Sequence, residues 1–119
     1  MASHNDLGKF GEGLAKDYVL GKGFSLLHRN WVHASCEIDL IASKAGVLHF
    51  IEVKTRRSTT FGFPEESVDI KKFRNIQKAA SKFLYLHPEW KLIQFDILSI
   101  LLVNDRAPEY FYIEDVYLT

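Results

Sequence analysis

Cysteine is almost missing from this chain: Cys36 is the single thiol among 119 residues. One thiol excludes an internal disulfide and suits a reducing, cytoplasmic setting. No apolar run approaches the roughly 18 residues of a membrane-spanning helix, so no membrane association is expected. The first residues, Met1-Ala2-Ser3-His4-Asn5-Asp6, lack the basic-then-apolar order of a secretory signal. Internal repeats, low-complexity tracts and interdomain linkers are also missing. The 5 histidines show no ligand spacing, which argues against a zinc site. Net charge is zero. What remains is an ordinary soluble composition, 47% apolar and 25% charged, that suits one domain spanning residues 1–119.

The zero balance hides an uneven distribution. Residues 54–82 hold eight Lys or Arg against three acids, whereas residues 105–119 hold four acids against Arg106 alone. One basic face is the expectation.

Periodicity predicts helix, three strands, helix, two strands. The first helix spans residues 6–20, with Leu7, Phe10, Leu14 and Tyr18 on one side, Asn5 as cap and Gly21 and Gly23 at its end. Gly8, Gly11 and Gly13 lower its propensity and argue for close packing against a neighbour. Strands follow over 24–32, 37–43 and 47–55, the last two joined by a turn at Lys44-Ala45-Gly46. The third strand is apolar on both faces and so belongs in the middle of a covered sheet. A loop over 56–67 leads to a helix over 70–86, capped by Asp69, with Phe73, Ile76, Ala80, Phe83 and Leu84 as its apolar stripe. Lys71, Arg74, Lys78 and Lys82 form a basic ridge on the opposite side. Strands over 92–103 and 110–114 complete a mixed α/β sandwich.

Two strand-like runs carry the chemistry. Cys36-Glu37-Ile38-Asp39-Leu40-Ile41-Ala42 and Leu48-His49-Phe50-Ile51-Glu52-Val53-Lys54-Thr55 each set charges inside otherwise core-like sequence. A charge in an apolar interior is costly unless paired or bound to a metal. Glu52 and Lys54 lie two apart in one strand, on one face and about 7 Å from each other. In isolation this pair reads as a same-face ion pair. With Asp39 on a neighbouring strand and a basic helix downstream, it reads instead as a site for metal-assisted phosphodiester cleavage. Mg2+, or Mn2+ in its place, prefers carboxylate and carbonyl oxygens, which Asp39, Glu52 and the Val53 carbonyl would offer. Lys54 would orient water or stabilise developing negative charge.

These runs, with Gly8-Lys9-Phe10-Gly11-Glu12-Gly13-Leu14-Ala15, Arg29-Asn30-Trp31, Gly62-Phe63-Pro64, Lys71 and Phe95-Asp96-Ile97, resemble the YraN-like bacterial family. That family is related to archaeal Holliday-junction resolvases of the restriction-endonuclease-like, PD-(D/E)xK superfamily. The resemblance implies a mixed central sheet flanked by helices and a magnesium-dependent endonuclease acting on branched or structured DNA. It further implies catalytic and metal roles for Glu12, Asp39 and Glu52, and a catalytic role for Lys54. Arg56, Arg57, Lys71, Arg74, Lys78 and Lys82 would hold the DNA backbone. Two symmetry-related cuts would need a homodimer, for which Tyr110-Phe111-Tyr112 is one apolar candidate. No organic cofactor is expected. Cys36 and Gln94 replace the Gly and Arg usual at their positions.

Two rival readings compete with the nuclease. One is a non-catalytic nucleic-acid-binding module on the same fold. The other is a structural domain with an acid–lysine network in its core. Asp96, inside an apolar strand, reads as a hydrogen-bonded structural carboxylate. Cys36, Trp31 and Trp90 read as packing residues.

Overall fold

A computed structural model describes residues 4–57 and 70–116. The elements are α1 (His4–Gly21), β1 (Ser25–His33), β2 (Cys36–Lys44), β3 (Val47–Arg56), α2 (Ile70–Leu86), β4 (Ile93–Leu101) and β5 (Glu109–Ile113). Each predicted element is present, with ends shifted by no more than two residues. Asp69 and Gly62-Phe63-Pro64 lie outside the described residues.

The five strands form one sheet in the order β1-β2-β3-β4-β5. Both early connections are hairpins, and β3 pairs with β4 in parallel. Parallel neighbours need a crossover, which α2 supplies. The β2–β3 turn is Ala45-Gly46, with φ of 52° and 81°. Two positive values match the right-handed strand twist, which is why glycine suits the second position. This is the mixed α/β architecture anticipated, compatible with a restriction-endonuclease-like fold.

Strand alternation sorts the core to two faces. Leu48, Phe50, Ile38 and Ile41 meet Ile76, Ala79, Ala80 and Phe83 of α2. Leu40, Ala42, Ile51, Leu98 and Ile100 meet Ala15 and Val19 of α1. Central β3 is thus covered on both sides, as its double apolar pattern predicted. Cys36 is buried in the α2-side core, with Trp31 and Trp90 packed at its margin.

The buried stripe of α1 departs from expectation. Phe10 is 56% exposed, and Ala15 and Val19, not Phe10, are fully buried. The cause is at Gly11, where a Cβ would overlap the Thr55 hydroxyl and approach Thr55 Cβ to 2.9 Å. The backbone of α1 touches β3 at that point, which rotates small residues inward and the large ring outward. Gly11 therefore serves a close approach, whereas a Cβ at Gly8 or Gly13 would meet nothing within 4 Å.

Candidate active site

The cleft begins where β2 and β3 part. Their ladder runs from Lys44↔Val47 to Leu40↔Ile51 and then stops. Past that point Asp39 Oδ2 accepts the Val53 N–H at 2.8 Å, a side chain taking the place of a ladder partner. Face alternation along β2 also slips here: Ile38 and Ile41 point to the α2 side, Leu40 and Ala42 to the α1 side. One irregularity thereby turns Asp39 toward the backbone of β3.

An open cleft of about 290 Å³ lies at this divergence, lined by Leu7, Gly8, Glu12, Asp39, Glu52, Val53, Lys54, Thr55 and Lys72. Four elements contribute. Gly8 and Glu12, one helical turn apart, present one side of α1. Asp39 comes from β2, residues 52–55 from β3, and Lys72 from the first turn of α2.

Glu52 is only 6% exposed. Its Oε1 lies 2.5 Å from Lys72 Nζ and 3.7 Å from Lys54 Nζ. Burial and then the neighbouring Glu52 carboxylate push the Asp39 carboxyl up to about 7, against the lowering pull of the Val53 N–H and of Lys72. Burial lowers Lys54, and adjacent Lys72 adds to the effect. Lys72 is raised despite its burial, because the carboxylates around it, Glu52 first, favour its charged form. Two acids and two amines thus share one small volume.

Glu12 enters the cleft by another route. Asn30 sits in β1 at φ 52°, a left-handed conformation that asparagine tolerates better than most residues. Its amide nitrogen, oriented as its surroundings require, donates to Glu12 Oε1 at 3.2 Å and to Glu37 Oε1 at 3.0 Å. Glu12 therefore lines the cleft beside the Asp39–Glu52 pair. Among the described residues, no group of three or more His, Cys, Asp or Glu side chains is placed to hold a metal ion. Of the three acids expected to meet, the structure brings Asp39 and Glu52 together and sets Glu12 at the cleft wall.

The remaining expected residues are spread more widely. Arg56 ends β3 half-buried, and Arg57 follows it exposed. Lys71, Arg74 and Lys78 are exposed on α2. Lys82 extends its ammonium over the Tyr85 ring at 5.2 Å. Sequence reasoning placed Lys71 with the family motif, but it is Lys72 that reaches the acids. The available signal was helical phase: Lys72 precedes buried Phe73 and lies four residues before buried Ile76, nearer the sheet than the ridge does.

Asp96 lies on another part of the sheet and is structural, as its apolar strand suggested. It accepts from His49 Nδ1 at 2.6 Å, Gln94 Nε2 at 2.9 Å, the Asp115 N–H at 3.0 Å and the Tyr112 hydroxyl. Gln94, where Arg is usual, keeps a hydrogen bond to this carboxylate. Burial, and then the Asp96 carboxylate beside it, hold the Tyr112 hydroxyl well above the ordinary phenol range.

Comparison with known proteins decides the family. Residues 11–100 match the model of the uncharacterised protein family UPF0102. The chain belongs to the UPF0102 family. A UPF0102 protein of Flavobacterium psychrophilum is 42% identical over 84% of this chain and 84% of its own length. One from Bacteroides thetaiotaomicron is 38% identical over 94% of this chain and 97% of its own. A third, from Dictyoglomus thermophilum, is 43% identical over 84% and 86%. The UPF0102 match includes Glu12, Asp39, Glu52, Lys54 and Lys72, so every polar side chain lining the cleft falls inside the family's shared region. No described helix is long and apolar enough to cross a membrane.

Proposed function

We propose that this UPF0102 protein is a magnesium-dependent endonuclease acting on DNA, with branched or structured DNA as its substrate class and a cytoplasmic homodimer as its working form. The observation that carries this reading is the convergence of Asp39, Glu52 and Lys54 on one open cleft at the point where β2 and β3 separate. Two carboxylates on adjacent strands form a hard-oxygen donor set of the kind Mg2+ or Mn2+ takes, and this chemistry fits the ion. Asp39, Glu52 and the Val53 carbonyl would hold it, with Glu12 approaching from α1. When bound, the ion would supply Lewis acidity and lower the pKa of a ligated water.

The protein's own groups do the rest. The Val53 N–H orients the Asp39 carboxylate. Lys54, set beside Glu52, stabilises negative charge gathering on the phosphate. Arg56, Arg57, Lys71, Arg74, Lys78 and Lys82 hold the sugar-phosphate backbone without reading its sequence.

The test is cleavage of four-way junctions and linear duplexes by the purified protein with Mg2+ or Mn2+. Wild type should cut. Asp39→Asn should lose about a hundredfold or more in rate while still binding the junction in a gel-shift assay. Wild type that binds but never cuts would favour the second reading, a non-catalytic nucleic-acid-binding module. One observation stands on that side: Glu52 is already paired with Lys72.

A further inference from the structure

Lys72 was not part of the acid–lysine motif legible in the sequence, yet it makes the shortest ion pair of the cleft, 2.5 Å to Glu52 Oε1. The contact is one-sided in burial. The Glu52 side chain is 6% exposed, whereas that of Lys72 is 41% exposed and has solvent to move into. Lys54 lies farther from the same oxygen, at 3.7 Å, and its side chain is 23% exposed. Lys72 is therefore the amine best placed to leave.

Asp39, Glu52, Lys54 and Lys72 balance formally, and Glu12 on the cleft wall adds one negative charge. A divalent cation on Glu52 would add two charges a few ångströms from both amines and would compete with Lys72 for the lone pairs of Oε1. Repulsion at that range is strong even at protein-surface screening.

We propose that Lys72 is the built-in rival of the divalent cation for Glu52, and that it exchanges this carboxylate for the phosphate of an arriving nucleic acid. The inference rests on the metal-site reading above and deepens it. Lys72 then couples two binding events. A phosphate that draws the ammonium away strengthens cation binding, and by reciprocity the cation strengthens phosphate binding. Lys72 is a positioning residue in this scheme, because it acts through Glu52.

The experiment is calorimetric titration of Mn2+ into wild type, Lys72→Met, Lys72→Gln and Lys72→Arg, with no nucleic acid present. Lys72→Met and Lys72→Gln should bind Mn2+ about tenfold more tightly than wild type. Lys72→Arg, which keeps the charge, should stay near the wild-type affinity. Tighter binding in both neutral variants supports the rivalry, including the case in which wild-type binding is too weak to measure. Wild type that binds Mn2+ while both folded neutral variants bind no better overturns the rivalry and leaves the metal site standing. No Mn2+ uptake by any of the four proteins overturns both. The Lys72 side chain is 41% exposed, so at least one of the two neutral variants is expected to fold, and circular dichroism reports which.

Discussion

At the residue scale the decisive feature is Asp39, a carboxyl held by one main-chain N–H beside a second acid. Its proton affinity links the site to stability. The folded pKa, about 7, exceeds the ordinary 3.8. Between these values the folded state binds more protons than the unfolded chain, so stability falls as pH rises through that window. The groups facing Asp39 are Glu52 and Lys54 of β3 and Lys72 of α2, with Glu12 of α1 on the same cleft wall. Removing the charge should remove the decline. Without divalent cations, Asp39→Asn should be more stable than wild type at pH 8 by about 2 kcal/mol, allowing for partial solvent screening, and should match it near pH 4. Urea unfolding at several pH values measures this, and a constant difference across the range would refute the assignment. A divalent cation that binds here should flatten the wild-type curve.

At the element scale, the seat of α1 depends on Gly11. Alanine there collides with Thr55, and the helix must back away from β3. Gly11→Ala should destabilise the protein by about 1–3 kcal/mol in urea unfolding, despite the better helix propensity of alanine. The same shift would carry Glu12 away from the cleft. Equal or higher stability would show that α1 is not pinned at this point. The three glycines in the first helix read as a packing signal, and that reading survives at Gly11. The predicted α1 stripe was right at Leu14 and Tyr18, which pack against the core, and wrong at Phe10, because counting Phe10 as core assumes that large residues turn inward. A backbone contact reverses this preference. For α2 the stripe of Phe73, Ile76, Ala80 and Phe83 was legible, since an amphipathic helix lying on a sheet must bury its apolar side. Phe83 anchors it, edge-on to Trp31 at 5.4 Å and Phe50 at 6.0 Å.

At the scale of the whole molecule, the sheet divides polar work between two places. The Asp96 network joins β3, β4, β5 and the turn at Asp115 and leaves no buried side-chain polar atom without a partner among the described residues. The cleft beside Asp39 sets two partly exposed amines, Lys54 and Lys72, against a buried Glu52. Exposed Lys71, Arg74 and Lys78 lie on the outward face of α2. If they hold DNA phosphates, replacing all three by alanine should weaken binding about equally across sequences and reduce the slope of log affinity against log salt by about 1 per lost contact. An unchanged slope in a fluorescence-anisotropy titration would remove them from the interface. The Tyr110-Phe111-Tyr112 segment is less open than its composition suggests. Tyr110 and Tyr112 stack on Tyr18 of α1, at 4.8 Å and 6.0 Å, and only Phe111 is 44% exposed. Period-two alternation on β5 sends the two tyrosines to one face and the phenylalanine to the other.

Local pattern alone was enough to define the elements, the covered central strand, the structural role of Asp96 and the shared face of Glu52 and Lys54. Each follows from periodicities of 2 and 3.6 residues and from the cost of burying charge. Tertiary structure decided the rest. It ended the β2–β3 ladder at Leu40 and turned Asp39 onto Val53. It tied Glu12 to Asn30 and brought Lys72, eighteen residues beyond Lys54 in the sequence, onto Glu52. Those contacts join residues on different elements, and their geometry depends on where a ladder stops and how closely a helix approaches, quantities that no single segment encodes.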